Sequence, residues 1–560
     1  MSTLLQLISF TLSVGSSQLL DSVSAQVVRG HRVSLTGSNG CGKSTLLRAI
    51  ARPDFADYYV VGAGGIVCHV PPSSILHVEQ DSIQWSRLLC ADEVELRELT
   101  LPEAIDLSLA AGNDSALEDA EAWRKLSVSA HEALEWRTAR YETTPLGKLS
   151  PGCALRAYLA VALHRRSIEV LLLDELTNHL DLPSILWLER SILAAGKSVV
   201  VVSHDAAFLD NVCDHLWEID THEKTLTVSG SSYSNFRREK QLAKEQQEAA
   251  YEQQQQRHKR LTEAANKLKA ASAKGQRAVA KDHDKLQRDF RRDRAGRSGR
   301  KAKAIEKARD SEEKMERVVH HDVLKIEIDS LGAGADSTLI LQDVLIGCTG
   351  GIPLPLPPLS LRVDFGERVA IVGYNGIGKS TLLRTLTRAI EPLSGSVTLG
   401  RELRVGHLMQ EHESLPRDQS ARKYFSELSG IAEFDTGKRL INYGLTLQQV
   451  DGAMGTINPG ARARAFLAGF AMRRVNCLIL DEPTNHLDVE AIEEVLVSLH
   501  GYNGTVVVVS HNRNFLAELN CSRMLLLSPN GLEEVESLEA FVGDIDDLVA
   551  DVVMKWQSRR

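Results

Sequence analysis

Short, mostly apolar runs of three to five residues recur in matched pairs along this chain. Val170-Leu-Leu-Leu-Asp174 is answered by Cys477-Leu-Ile-Leu-Asp481, and Val200-Val-Val-Ser203 by Val507-Val-Val-Ser510. Arg32-Val-Ser-Leu-Thr36 pairs with Arg368-Val-Ala-Ile-Val372, and each is followed within a dozen residues by an apolar helix start, Leu46-Leu47 and Leu382-Leu383. Runs without polar alternation describe strands buried on both faces, as in a parallel sheet covered by helices. The pattern predicts an α/β chain built as two like halves.

The loops between strand and helix carry the chemistry. Gly37-Ser38-Asn39-Gly40-Cys41-Gly42-Lys43-Ser44-Thr45 returns as Gly373-Tyr374-Asn375-Gly376-Ile377-Gly378-Lys379-Ser380-Thr381. Both read G-x-x-x-x-G-K-[ST], a loop whose N–H groups cradle phosphates while the Lys reaches the terminal phosphates and the Ser takes Mg²⁺. Asp174-Glu175 and Asp481-Glu482 end the buried strands. Asp174 and Asp481 are placed to support Mg²⁺ through its water shell, and Glu175 and Glu482 to polarise the attacking water. His204 and His511 follow at the same interval, 29 residues after each Glu, and can reach the γ-phosphate. The order repeats twice, which sets it apart from an isolated Asp-Glu pair serving as a cap.

Bulk properties narrow the class. With 560 residues, 43% hydrophobic and 25% charged, the chain is of ordinary globular composition and long enough for several domains. No apolar run approaches the roughly 18–20 residues of a membrane helix, and the N-terminus reads as a first strand. The eight cysteines lack any C-x-x-C pair, which fits free thiols in a reducing cytoplasm.

Together these motifs resemble the ATP-binding cassette ATPases. Thr177-Asn178-His179-Leu180-Asp181 and Thr484-Asn485-His486-Leu487-Asp488, in a tandem chain without membrane domains, resemble the ABC-F subfamily in particular. The resemblance implies two P-loop nucleotide-binding domains with helical subdomains, joined by a long α-helical hairpin. The expected boundaries are 1–235 and 321–545 for the cassettes, 236–320 for the linker and 546–560 for a tail. It also implies that Gln80 and Gln410 sense Mg²⁺ and water. The signature loops would be Leu149-Ser150-Pro-Gly152-Cys and Ile457-Asn458-Pro-Gly460-Ala. The cassettes of one chain would pair head to tail, each signature loop closing on the other half's nucleotide.

The chain departs from the family at several positions. Pro151 and Pro459 replace a signature glycine, Cys153 and Ala461 the glutamine, and Asn458 the serine kept at Ser150. The site built on Lys43, Glu175 and His204 would face Asn458, and is expected to be the slower and tighter of the two. No aromatic stands where one commonly stacks on adenine, and Phe10 reads as a core strand residue. Half one carries 22 more residues than half two between Gln and signature. This acidic stretch (Asp106, Asp114, Glu118, Asp119, Glu121) suits a larger helical subdomain better than a surface for RNA phosphates. Ile352-Pro-Leu-Pro-Leu-Pro-Pro-Leu359 reads as an extended edge rather than a polyproline ligand.

Charge singles out the middle of the chain. Residues 237–317 hold 25 Lys/Arg against 14 Asp/Glu, a net of +11, whereas the rest of the chain carries −20. No Gly or Pro interrupts Arg237–Lys274, so a helix is expected there with a thin stripe of Leu242, Ala249, Leu261, Ala265 and Leu268. A second helix near Arg300 would offer Ile305, Ala308, Met315 and Val319. The tip between holds Lys281, Lys285, Arg288, Arg291, Arg292, Arg294, Arg297 and Arg300 with one aromatic, Phe290, which favours phosphate contact over base stacking. A solvated spacer is the plainer alternative. The expected function is a cytoplasmic ATPase, using ATP and Mg²⁺, that binds the ribosome near the exit-tRNA site as a translation factor or in antibiotic protection. A DNA-maintenance ATPase and a transporter motor subunit are the rivals.

Overall fold

The structure is a computed structural model that describes residues 2–15, 17–52, 60–61, 65–79, 83–84, 93–100, 103–104, 144–149, 151–165, 167–221, 223–277, 297, 300–307, 338–348, 352–408, 418–485 and 487–543. Gln80, Ser150, Gln410, the acidic stretch of half one, most of the basic tip and the tail 546–560 lie outside these residues. The chain divides into two compact units, Met1–Tyr233 with Asp322–Arg560, and Ser234–His321.

In the first cassette the chain runs β1 (Thr3–Val14), β2 (Ser17–Val28), β3 (Arg32–Thr36), α1 (Lys43–Ala51), β4 (Val60–Val61), β5 (Gly65–Cys68), β6 (Ile75–Val78), α2 (Glu93–Glu98), α3 (Pro151–His164), β7 (Val170–Asp174), α4 (Leu182–Ala195), β8 (Ser198–Val202), α5 (Ala206–Val212), β9 (His215–Asp220) and β10 (Thr225–Ser229). Its six-stranded sheet has the order β6-β7-β8-β3-β9-β10, parallel except for the β9–β10 pair. Strands β7 and β8 are buried at every position, as uninterrupted apolar runs require. A smaller sheet of β1, β2, β4 and β5 packs its Leu5, Leu7, Phe10 and Leu12 into the same core as α1. Phe10 is therefore a core residue.

The second cassette repeats this plan. After β11 (Leu339–Leu345), β12 (Gly347–Cys348), β13 (Ile352–Pro353) and β14 (Leu359–Val363) come β15 (Arg368–Gly373), α7 (Lys379–Leu386), β16 (Ser394–Leu399) and β17 (Val405–Leu408). The helical subdomain holds α8 (Ala421–Ser429), α9 (Glu433–Asn442), α10 (Leu447–Asp451) and α11 (Pro459–Met472). Then follow β18 (Cys477–Asp481), α12 (Val489–His500), β19 (Thr505–Val509), α13 (Arg513–Leu519), β20 (Arg523–Ser528) and β21 (Gly531–Val535). The sheet order β17-β18-β19-β15-β20-β21 matches the first sheet strand for strand. Both phosphate loops thus leave an inner strand at its C-terminal end, where open α/β sheets bind ligands. The proline-rich stretch begins with β13, which pairs antiparallel with β12, so its start is extended as its sequence suggests.

In the other unit, the long helix α6 (Tyr233–Arg277) spans 45 residues, about 67 Å at 1.5 Å per residue. It starts before Arg237 and runs through Gly275 to Arg277, so the glycine expected to stop it is tolerated inside the helix. Residues 300–307 are also helical, and a Lys269–Glu306 ion pair of 2.6 Å with buried Ala265 and Ala302 joins the two segments. The expected stripe is realised only in part. Ala265 is buried and Leu261 and Leu268 are half-buried, but Leu242 and Ala249 are exposed. The cause is local: polar Gln, Glu and Lys flank those two apolar residues, so no continuous apolar face forms there.

Candidate active site

Each phosphate loop turns into its helix through a glycine in the left-handed region, Gly42 at φ 104° and Gly378 at φ 113°. A side chain there would be strained, and at Gly378 a Cβ would also sit 2.5 Å from Leu354 Cδ1. Lys43 Nζ donates to the carbonyls of Gly37 (2.8 Å) and Ser38 (3.2 Å); Lys379 Nζ donates to Gly373 (2.8 Å) and Tyr374 (3.0 Å). Both lysines are buried and folded over their loops. The rest of each loop turns tightly, with Cys41 N–H donating to Ser38 O and Ile377 N–H to Tyr374 O. Gly40 and Gly376 add further positive φ values. Thr45 and Thr381 lie in the first turns of α1 and α7.

The carboxylates arrive beside these loops. Ser44 Oγ donates to Asp174 Oδ1 at 3.1 Å, and Ser380 stands beside Asp481, near enough to lower its carboxyl. Burial pushes the carboxyls of Asp174 and Asp481 up, and the Ser hydrogen bonds oppose the rise. Asp481 Oδ1 is buried with no hydrogen-bond partner, a combination that suits a hard cation. Among the described residues no three His, Cys, Asp or Glu side chains gather around a metal position. Mg²⁺ usually takes only one or two protein oxygens and completes its shell with phosphate and water.

Next along each strand, Glu175 and Glu482 adopt the left-handed conformation, φ 50° and 47°. Such non-glycine strain clusters at functional positions, and here it turns the Glu away from the strand line toward the histidine. His204 Nε2 lies 3.4 Å from Glu175 Oε1, and His511 Nε2 lies 3.5 Å from Glu482 Oε1. The His511 N–H also donates to Glu482 Oε2 at 3.3 Å. Burial raises the Glu482 carboxyl, against the pull of Lys379, and holds the His511 imidazole below its ordinary value. A carboxylate of raised basicity is suited to take a proton from water.

The two halves meet at these same loops. The Asn39 N–H donates to Asp488 Oδ2 (3.1 Å), and the Asn375 N–H donates to Asp181 Oδ2 (2.9 Å). Each aspartate caps its own helix with its other oxygen, Asp181 Oδ1 accepting from Ser184 N–H and Asp488 Oδ1 from Ala491 N–H. Between the halves lies a cavity of about 30 Å³, lined among others by Thr177, His204, Glu482, Thr484, His511 and Asn512. It has room for a water. His204 Nε2, Glu482 Oε1 and both ring nitrogens of His511 are buried without a hydrogen-bond partner, so a water there would meet polar atoms from both halves.

The signature segments begin α3 and α11. Asn458 caps α11, its Oδ1 accepting from Ala461 N–H at 2.9 Å. That leaves only its amide N–H₂ to donate, a use of the side chain that the motif alone does not reveal. Gly152 and Gly460 lie in the first turns of α3 and α11, and a Cβ at Gly460 would press to 3.2 Å on Ala491. Aliphatic rather than aromatic side chains touch the phosphate loops, Leu19 near Gly42 and Leu354 near Gly378. The interval Leu12–Val14 lacks a ring, and so does Leu345–Cys348. No helix among the described residues is long and apolar enough to cross a membrane.

The cassettes are similar to those of known proteins. The model of the ABC transporter family matches residues 20–178 and 356–485. The probable ATP-binding protein YbiT of Escherichia coli O157:H7 is 28% identical, over 96% of this chain and 97% of that protein. The ATP-binding cassette sub-family F member 2 of Mus musculus is 28% identical, over 92% of this chain and 79% of that protein. Among solved structures, RNase-L inhibitor matches with a TM-score of 0.51 at 19% identity, covering 94% of this chain and 90% of that one. The archaeal ribosome recycling factor aABCE1, in complex with the ribosomal stalk protein aP1, matches with a TM-score of 0.52 at 19% identity and the same coverage. At such identity the structural likeness concerns the fold.

Proposed function

Since the chain belongs to the ABC transporter family and is an ATPase with two cassettes, we propose that it acts on the ribosome as an ABC-F protein. In this reading ATP draws the cassettes together on the ribosome, and hydrolysis lets them part. The observation that carries it is charge. The helical unit between the cassettes holds a net of +11 in residues 237–317, while the rest of the chain is acidic. Lys and Arg in that number favour an RNA polyanion over an acidic protein surface. The sub-family F relative supports the ABC-F assignment, and the likeness to a ribosome recycling factor with its stalk partner supports the target.

Within the site, Lys43 and Lys379 exchange their carbonyl partners for phosphate oxygens. Ser44 with Asp174, and Ser380 with Asp481, would hold Mg²⁺, and Gln80 and Gln410 would be the glutamines that sense it. Bound Mg²⁺ neutralises charge on the phosphates. Glu175 and Glu482 accept the proton of the attacking water, and His204 and His511 steady the γ-phosphate. Ser150 and Gly152 of one half, and Asn458 and Gly460 of the other, close on the opposite nucleotide. Translation factor and antibiotic protection are the two roles open to such a protein.

Co-sedimentation of the Glu175→Gln, Glu482→Gln protein with ribosomes in ATP, beside DNA binding at the same salt, tests this. ATP-dependent retention on ribosomes supports the reading. Preference for DNA would replace it with the rival.

A further inference from the structure

The two halves share a sheet order and a set of loops, yet their contact is not symmetric. Arg513, two residues after His511, is buried and its Nη2 donates to Glu189 of the first cassette, also buried. Asn211 Nδ2 donates to the other Glu189 oxygen at 3.0 Å, and Asp205 Oδ2 stands 3.8 Å from the guanidinium. The matching position two residues after His204 is Ala206. Glu189 lies eight residues after Asp181, and the residue eight after Asp488 is Leu496. Both members of the mirrored pair are apolar. The ion pair therefore exists on one side only.

Its position gives it an effect on one nucleotide site. Helix α4 starts at Asp181, which holds the Asn375 N–H in the Lys379 loop, and two turns later presents Glu189 to Arg513 beside His511. One helix of the first cassette thus grips the second at its phosphate loop and beside its histidine. Helix α12 has the first grip, Asp488 on Asn39, but carries Leu496 at the second position. We infer that Arg513 is a positioning residue that fastens the Lys379 site at a second point, so that this site stays closed longer than the Lys43 site. The signature loops alone suggested the tighter site at Lys43; the interface reverses that order for opening, while Asn458 still bears on the rate of chemistry.

Removing one partner would orphan a buried charge and confuse loss of grip with loss of fold. The test is therefore the pair Glu189→Leu with Arg513→Ala, which copies the Leu and Ala already present on the mirrored side. In the full-length Glu175→Gln, Glu482→Gln protein, Lys43→Ala or Lys379→Ala leaves one phosphate loop intact, and release of a fluorescent ATP analogue with Mg²⁺ is chased by unlabelled ATP. The pair should speed release from the Lys379 site about tenfold, the factor given by roughly 1.4 kcal/mol, and change the Lys43 site less than about twofold. Installing Ala206→Arg with Leu496→Glu should slow release from the Lys43 site. Equal acceleration at both sites, or none at the Lys379 site in a protein with native unfolding temperature, overturns the inference. The assay contains no ribosome, so its failure leaves the proposed target untouched.

Discussion

Asp181 uses its two carboxylate oxygens for different halves of the protein: one accepts from Ser184 N–H at 3.2 Å within its own helix, the other from Asn375 N–H at 2.9 Å in the opposite phosphate loop. Asp488 does the same with Ala491 and Asn39. The division yields a clean experiment. Serine at 488 can still cap α12 but is too short to reach Asn39, whereas alanine loses both bonds. Asp488→Ala should lower stability by about 1 kcal/mol, and Asp488→Ser should unfold close to the wild-type temperature. Both should weaken nucleotide binding at the Lys43 site, as read by titration with a fluorescent ATP analogue.

Glu175 and Glu482 are expected to act as the bases. Glutamine at both should leave nucleotide binding intact and slow turnover by about 10²-fold or more. Phosphate release under saturating ATP checks it, and near-normal turnover would remove both from the mechanism.

Asn458 spends its carbonyl oxygen on Ala461 N–H, so under the proposed pairing only its amide N–H₂ is offered to the Lys43 site. Asn458→Ser keeps the cap and should raise turnover measured in Glu482→Gln protein, where only the Lys43 site works. Glu482→Gln alone should retain less activity than Glu175→Gln. The opposite order would show the slow site to be the Lys379 one.

Arg288, Arg291, Arg292 and Arg294 should matter only to the target. Neutralising all four should weaken ribosome binding and flatten its salt dependence, since fewer counterions are released. ATP hydrolysis without ribosomes should stay near the wild-type rate.

His407 on β17 gives a pH signature. Burial, followed by the nearby charge of Arg384, lowers its imidazole from 6.5 to about 4, and its Nε2 is buried without a hydrogen bond. Between those values the unfolded chain binds a proton that the folded chain refuses, so stability falls as pH drops from 6.5 toward about 4 and this contribution then levels off. His407→Gln should reduce the slope of unfolding temperature against pH within that window.

Much of the architecture is written in short, local signals. Cys477-Leu-Ile-Leu-Asp481 is buried along its whole length because no polar residue breaks it, and both phosphate loops stand where strand, glycines and helix start predict. What escaped the reading depends on residues far apart in the chain. Neither Asn375–Asp181 nor Arg513–Glu189 has a local signature, and each member alone looks like a cap or a surface charge. Asn458 was legible as a signature residue but not as a cap, because the same amide satisfies either role. The linker misled in a different way: Leu242 and Ala249 fall at helical spacing, yet isolated apolar residues among Gln, Glu and Lys do not oblige a partner to cover them.

The shared carboxylates at Asp181 and Asp488 also bear on how often the machine can cycle. Because the capping bonds use different oxygens from the bonds between cassettes, separation of the halves would leave both helix starts capped. Parting therefore requires no local melting, and reassembly begins from two preformed surfaces. Under the proposed cycle, the junction would then part and rejoin without partial unfolding at either helix start.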